Sequence, residues 1–311
     1  MRRVKRFVSL LGLLFALALA GCAGATVQRT QYVAFKTATA ALAQDAQANY
    51  AGVEGLWEEL NAQCLAMPRN EANYNHLLPG GGGVPCGKDS AGRVRRFDDP
   101  GPVLDARLKA MHALVNYAAL LNTLASTDYV GGVTASTAKL SASLESLQGS
   151  LTPLVPEAAE LQNAATLLGT AVKAAGRLYV EGERKKALRA ILADSQDDIA
   201  ILSEKLLLDS VHVVSLTRAD LEFLVGEAGR TRPVDYEKRL VYDAKVLQRY
   251  KTGLGLIAAL QAMDKAVAAL PLAHAELLES LDKPAAPLER LEAFVAAVEQ
   301  ALVIAQQIKK I

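Results

Sequence analysis

Residues 41–64 read ALAQDAQANYAGVEGLWEELNAQC, and the spacing of their apolar side chains decides the fold. Ala43, Ala46, Tyr50, Val53, Trp57, Leu60 and Cys64 recur at steps that alternate between three and four. Such steps keep side chains on one stripe of an α-helix, whereas a strand would need every second residue to be apolar. Continued back to residue 28 and on to 66, the helix is about 58 Å long at 1.5 Å per residue.

The same rhythm runs through the rest of the chain. Leu104, Leu108, Met111, Val115 and Ala118 follow Pro102, which suits a first helical turn. Leu140, Leu144, Leu147, Leu151 and Leu154 lead into Ala158, Leu161, Ala165, Leu168, Val172, Ala175 and Tyr179, with Pro153 and Pro156 expected to kink or break that run. Ile199, Leu202, Leu206, Val213 and Leu216 form another stripe. Tyr236, Leu240, Leu247, Leu254 and Ile257 form the next, and Leu288, Leu291, Val295, Val298, Leu302 and Ala305 the last. Expected stops are Gly131-Gly132, the loop GEAGRTRP over 226–233, and Pro271, Pro284 and Pro287. Steps of three and four also favour helices crossing at shallow angles, side chain into gap. The fold class is therefore all-α: an elongated bundle of long antiparallel helices with coiled-coil-like heptad packing. A single helical domain over 28–311 is expected, and two abutting bundles divided near 230 are the alternative. The stretch 253–273 is the most apolar after the N-terminus, but Gln261, Asp264 and Lys265 near its centre make it a bundle helix and not a membrane span.

Composition agrees. Of 311 residues, 55 are alanine and 49 leucine, while aromatics make up 5%. So much apolar helix former, with so few aromatic residues, excludes a disordered chain and disfavours a β-sandwich or barrel. A net charge of +1 gives no electrostatic reason for a nucleic-acid partner.

The N-terminus reads as an address. Arg2, Arg3, Lys5 and Arg6 precede an apolar run from Phe7 to Ala20, too short for the roughly 20 residues of a membrane-spanning helix. Leu19-Ala20-Gly21-Cys22 then resembles the lipobox of bacterial lipoproteins. The resemblance covers residues 1–22 and implies a signal peptide over 1–21, cleavage before Cys22, and acyl chains on Cys22. It implies a lipidated N-terminus over 22–27 anchored in a membrane. Ala23 after the cysteine, in place of aspartate, favours the periplasmic side of the outer membrane, or the outer face of the plasma membrane in a host with one membrane. Removal of the leader takes four basic groups and no acid, so the remainder carries a net charge of −3 and has no basic excess with which to bind anionic lipid.

Cys64 and Cys86 remain as an even pair in an oxidising space and are expected to form a disulfide. The bond closes a loop of about 23 residues and adds about 3 kcal/mol of stability in the chain-entropy view. The loop, placed at 65–100 between two helices, holds Pro68, Pro79 and Gly80 to Gly83 and cannot be a continuous helix. Within it, Gly82-x-x-x-x-Gly87-Lys88 matches a phosphate-binding loop up to the Ser or Thr position, which is Asp89, and no strand precedes it.

No assembled chemistry is legible. His76, His112, His212 and His274 are scattered without metal-ligand spacing, and His112 and His212 are expected as partner-bonded core or boundary residues. No serine elbow occurs, and Ser136, Ser141, Ser143 and Ser146 form a polar helix face. Glu58-Glu59 and Asp197-Asp198 are neighbours about 100° apart on a helix and do not converge. Arg95-Arg96 and the run from Glu183 to Lys186 read as solvated charge. The expected function is that of a non-catalytic scaffold, adaptor or binding module of the cell envelope, with no cofactor, no metal and a possible envelope protein as partner. The alternatives are a membrane-active, pore-forming or membrane-remodelling helical protein and an enzyme whose site is assembled from distant residues. An apolar stripe left exposed on the folded bundle would mark self-association or a partner helix.

Overall fold

The structure is a computed structural model that describes residues 26–65, 86, 99–126, 131–151, 184–230, 232–283 and 286–308. Among these residues there are seven helices and no strand, and the protein is all-α. They are α1 (Thr26–Leu65), α2 (Gly101–Ala125), α3 (Gly131–Leu151), α4 (Arg184–Asp194), α5 (Gln196–Arg230), α6 (Tyr236–Ser280) and α7 (Glu289–Ile308). The expected signal peptide, Cys22, Pro153, Pro156, the stripe from Leu154 to Tyr179, His76, Arg95-Arg96 and the glycine-rich segment with Lys88 all lie outside the described residues.

Helix α1 is the spine. Its 40 residues span about 60 Å, and it packs against α2, α5, α6 and α7. Ala43, Ala46, Tyr50, Val53, Leu60 and Cys64 of its apolar stripe are all buried. Antiparallel hairpins α2–α3, α5–α6 and α6–α7 complete the bundle. One continuous cluster of buried side chains, from Tyr32 to Val298, draws on all seven helices. The polar face foreseen on α3 meets α2: Asn116 donates to Ser143 at 2.5 Å, and Thr123 and Ser136 are 3.2 Å apart.

Three expected breaks fall elsewhere. Gly131 opens α3 and stops nothing, because the preceding helix already ends at Ala125. GEAGRTRP is mostly helix, with α5 continuing through Gly226 and Gly229 to Arg230. Both glycines have open space where a side chain would stand, so nothing but propensity opposes the helix there. Pro271 sits inside the 45-residue α6. Its missing N–H costs the helix a bond, but its own carbonyl accepts from Gln196 Nε2 at 3.2 Å, which ties the site to α5. Helix α6 is the one helix among the described residues long and apolar enough to cross a membrane, and 56% of its most apolar stretch is buried in the bundle.

Pairings along the bundle fix its two ends. Phe35 meets His274, Gly52 meets Leu256, and Glu59 meets Arg249, so α1 and α6 run antiparallel and in step. Leu65, the last residue of α1, therefore stands level with Asp243, and the first turns of α6 extend beyond it. Near that end Cys64 and Cys86 are paired in a disulfide with Cα atoms 4.9 Å apart, packed with Leu60 and Leu224 in a small second cluster.

Candidate functional site

Chemistry-bearing side chains converge at the opposite end, where Tyr117 of α2, Ser195 between α4 and α5, Gln196 of α5 and His274 of α6 form one hydrogen-bonded chain. The Gln196 side chain donates through Nε2 to Pro271, so its Oε1 accepts, and His274 Nδ1 must carry the proton that bridges the 2.7 Å between them. His274 Nε2 is then a lone pair that accepts from the Tyr117 hydroxyl at 2.7 Å. Ser195 Oγ lies 2.5 Å from the Tyr117 oxygen and shares its one proton between that oxygen and the carbonyl of Ile191. Burial pushes the His274 imidazole down to about 3 and the Tyr117 phenol above its usual range, so both are neutral.

A serine, a histidine and a tyrosine in contact resemble the parts of a nucleophilic site, but the geometry serves packing. Ser195 Oγ is 3.5 Å from His274 Nε2, whose lone pair Tyr117 already occupies. Ser195, Tyr117 and His274 have no exposed surface, and the rings of Phe35 and Tyr117 stand 6.4 and 5.6 Å from the imidazole. Nothing can approach the serine without opening the bundle. Tyr117→Phe removes one hydroxyl and orphans His274 Nε2, which costs about 1–3 kcal/mol. Chemical denaturation of the variant measures this loss, and a loss below a few tenths would mean that the hydroxyl is not a working bond.

A second buried polar layer lies further along. Arg107 of α2 donates through Nε to the Tyr50 hydroxyl at 2.7 Å, and its guanidinium carbon lies 5.2 Å from the centre of that ring. Burial pushes Asp264 of α6 above the usual carboxylate range, while Ser210 of α5 and Arg107 draw it back. On α5, Ser203, Ser210 and Thr217 recur every seven residues among the buried positions. Polar side chains at such regular seam positions disfavour shifted registers, at a cost in burial. Glu276, itself buried, accepts from the backbone N–H of Leu291 at 2.7 Å and so caps the N-terminus of α7.

Among the described residues an accessible groove of about 500 Å³ lies between α1 and α6. Gly52 and Gly55 line one wall, and Asn49, Lys245 and Thr252 bring polar groups to it. Glu59 and Arg249 bridge it with an ion pair at 2.5 Å. A side chain on Gly52 would stand 3.1 Å from Leu256, so the glycine sets how closely the helices approach there.

Of the four histidines, His112 and His212 are exposed, which corrects their expected place in the core or at its boundary. Both sit one position off the buried stripes, beside Met111 and Val213. Among the described residues the buried histidine is His274, which spacing did not single out. Of the adjacent acids, Asp198 is buried and Asp197 exposed, as their angular separation requires. Among the described residues, no group of three or more His, Cys, Asp and Glu is placed to hold a metal ion. No family model, no curated protein and no solved structure matches this chain.

Proposed function

We propose that the chain is a lipid-anchored, extracytoplasmic protein of the bacterial cell envelope that acts by binding, as a scaffold or adaptor without catalysis. It is held through Cys22 on the periplasmic side of the outer membrane. The observation that carries the binding role is the separation of chemistry from access. The hydrogen-bonded tyrosine, serine and histidine are sealed, while the open groove offers a lysine, a threonine and an ion pair suited to contact. The anchor rests on Leu19-Ala20-Gly21-Cys22 behind a basic and then apolar leader.

Intact mass of membrane-extracted protein, with and without reduction and alkylation, tests the anchor. Cleavage before Cys22 plus acyl chains is expected, with Cys64 and Cys86 blocked until reduced. Cys22→Ser moves the protein out of the membrane fraction. A full-length, unacylated mass with three free thiols would place the chain in a reducing compartment and remove the proposal. The binding role is tested by cross-linking in cells and purification from membranes, which should return one defined envelope partner; repeated recovery of none would count against it.

A further inference from the structure

The first half of α6 carries an apolar ridge that the bundle does not use. From Tyr236 to Thr252 no residue is buried. Tyr236, Leu240, Leu247, Tyr250 and Leu254 are between 40% and 65% exposed. With Asp243 they step four, three, four, three, four, so all six lie within about 40° of one line on the helix. That line faces away from the groove, which Lys245, Arg249 and Thr252 line from the other side of α6. A ridge of 19 residues is about 28 Å long.

We propose that this ridge pairs with the same ridge of a second copy of the chain, antiparallel, about a two-fold axis level with residue 245. The argument is self-complementarity. In that register Tyr236 meets the second copy's Leu254, Leu240 meets its Tyr250, and Asp243 meets its Leu247, so every seam position has a partner. The flank on one side reads Glu237, Ala244, Lys251 at seven-residue spacing. Antiparallel pairing brings Glu237 opposite the second copy's Lys251, twice by symmetry, and sets the small Ala244 of each copy side by side near the axis on this flank. A parallel pair would set Asp243 against Asp243 and make neither ion pair. Asp243 is not a bare charge in the seam: Arg232 donates to both its oxygens, from Nε at 2.9 Å and from Nη2. The acid at one seam position also penalises slipped registers. An interface of this length is at the small end for protein pairs, so association depends on concentration.

This inference does not rest on the lipid anchor. In the full chain purified in detergent, Ala244→Cys should give a covalent dimer on mild oxidation in high yield. The parent chain and a variant with the exposed His212→Cys should give little. Glu237→Lys and Lys251→Glu should each weaken self-association about tenfold by sedimentation, with helix content unchanged, and the double exchange should restore it. Leu247→Glu should leave a monomer. Cross-linking through Ala244→Cys no better than through His212→Cys overturns the proposal, as does failure of the double exchange to restore pairing. A chain that stays monomeric at all concentrations and binds lipid vesicles through this ridge also overturns it.

Discussion

Phe294→Ala lowers the unfolding free energy by about 3–5 kcal/mol, which moves the thermal midpoint by roughly 10 °C. Phe294 has no exposed surface, and its ring centre lies 5.7 Å from that of Phe35, tilted by 44°. Helix α7 meets α1 and α6 along this line, so the ring fills the junction of three helices. Its removal forfeits transfer free energy, an aromatic pair of about 0.5–1.5 kcal/mol, and the contacts of the cavity left behind. Collapse into that cavity is hindered because Phe35 on one side leans on His274, which the Tyr117 and Gln196 bonds hold in place. Urea unfolding followed by circular dichroism measures the loss, with Val303→Ala on the exposed side of α7 as the comparison. A loss for Phe294→Ala under 1 kcal/mol would mean that α7 is not docked as described.

Asp220→Asn has an effect of similar size and opposite sign, which grows as pH rises above 4 and is complete near neutral pH. Burial pushes the Asp220 carboxyl up to about 7 from an unfolded value near 4. Between those values the folded chain keeps a proton that the unfolded chain has released. Stability is thus fully present at low pH and is lost as pH rises toward 7, by about 1.4 kcal/mol for each pKa unit. Asparagine mimics the protonated acid, so the variant is more stable than the parent by about 3–4 kcal/mol at pH 8 and equal to it near pH 4. Asp198, pushed up to about 6 by burial and by Asp197, acts in the same sense. His274 opposes both. Its folded value of about 3 lies below the unfolded value, so it loses stability as pH falls through 6.5. The raised carboxyls, Asp264 included, outweigh one imidazole, and the parent is more stable at pH 5 than at pH 8 by about 2 kcal/mol. Denaturation midpoints at the two pH values measure this. An Asp220→Asn variant that keeps the parent's preference for pH 5 would remove Asp220 as its source.

Much of the fold is legible in the sequence because helical burial is periodic. The stripe from Ala43 to Cys64 needs only counting, and so do Leu140, Leu144 and Leu147 or Ile199, Leu202 and Leu206. At Pro271, Gly226 and Gly229 a local helix breaker weighs less than tertiary packing. Pro271 forfeits one bond, a small loss against the buried length of α6 on either side of it. Gly226 and Gly229 lie in a helix tail that Leu224 and Ala228 dock to the body. The ridge from Tyr236 to Leu254 was legible as a heptad, but periodicity does not say whether a seam is covered within the chain or outside it. The tyrosine–histidine–serine network was not legible at all. Its members are up to 157 residues apart, and nothing in a lone serine or histidine separates a buried hydrogen-bonding role from a surface one.

The bundle is also graded along its length. Tyr32, Phe35, Tyr117 and Phe294 gather toward one end, whereas at the other α6 has no buried residue from Tyr236 to Thr252 and an open groove runs beside it. Packed rings there and a half-docked helix here make a rod that is stiff at one end and yields more readily along the first turns of α6. Under a pulling force the α5–α6 hairpin yields first from its tip, peeling toward Gly253 while the aromatic end stays shut. A load taken up at the tip is thereby absorbed before it reaches the spine.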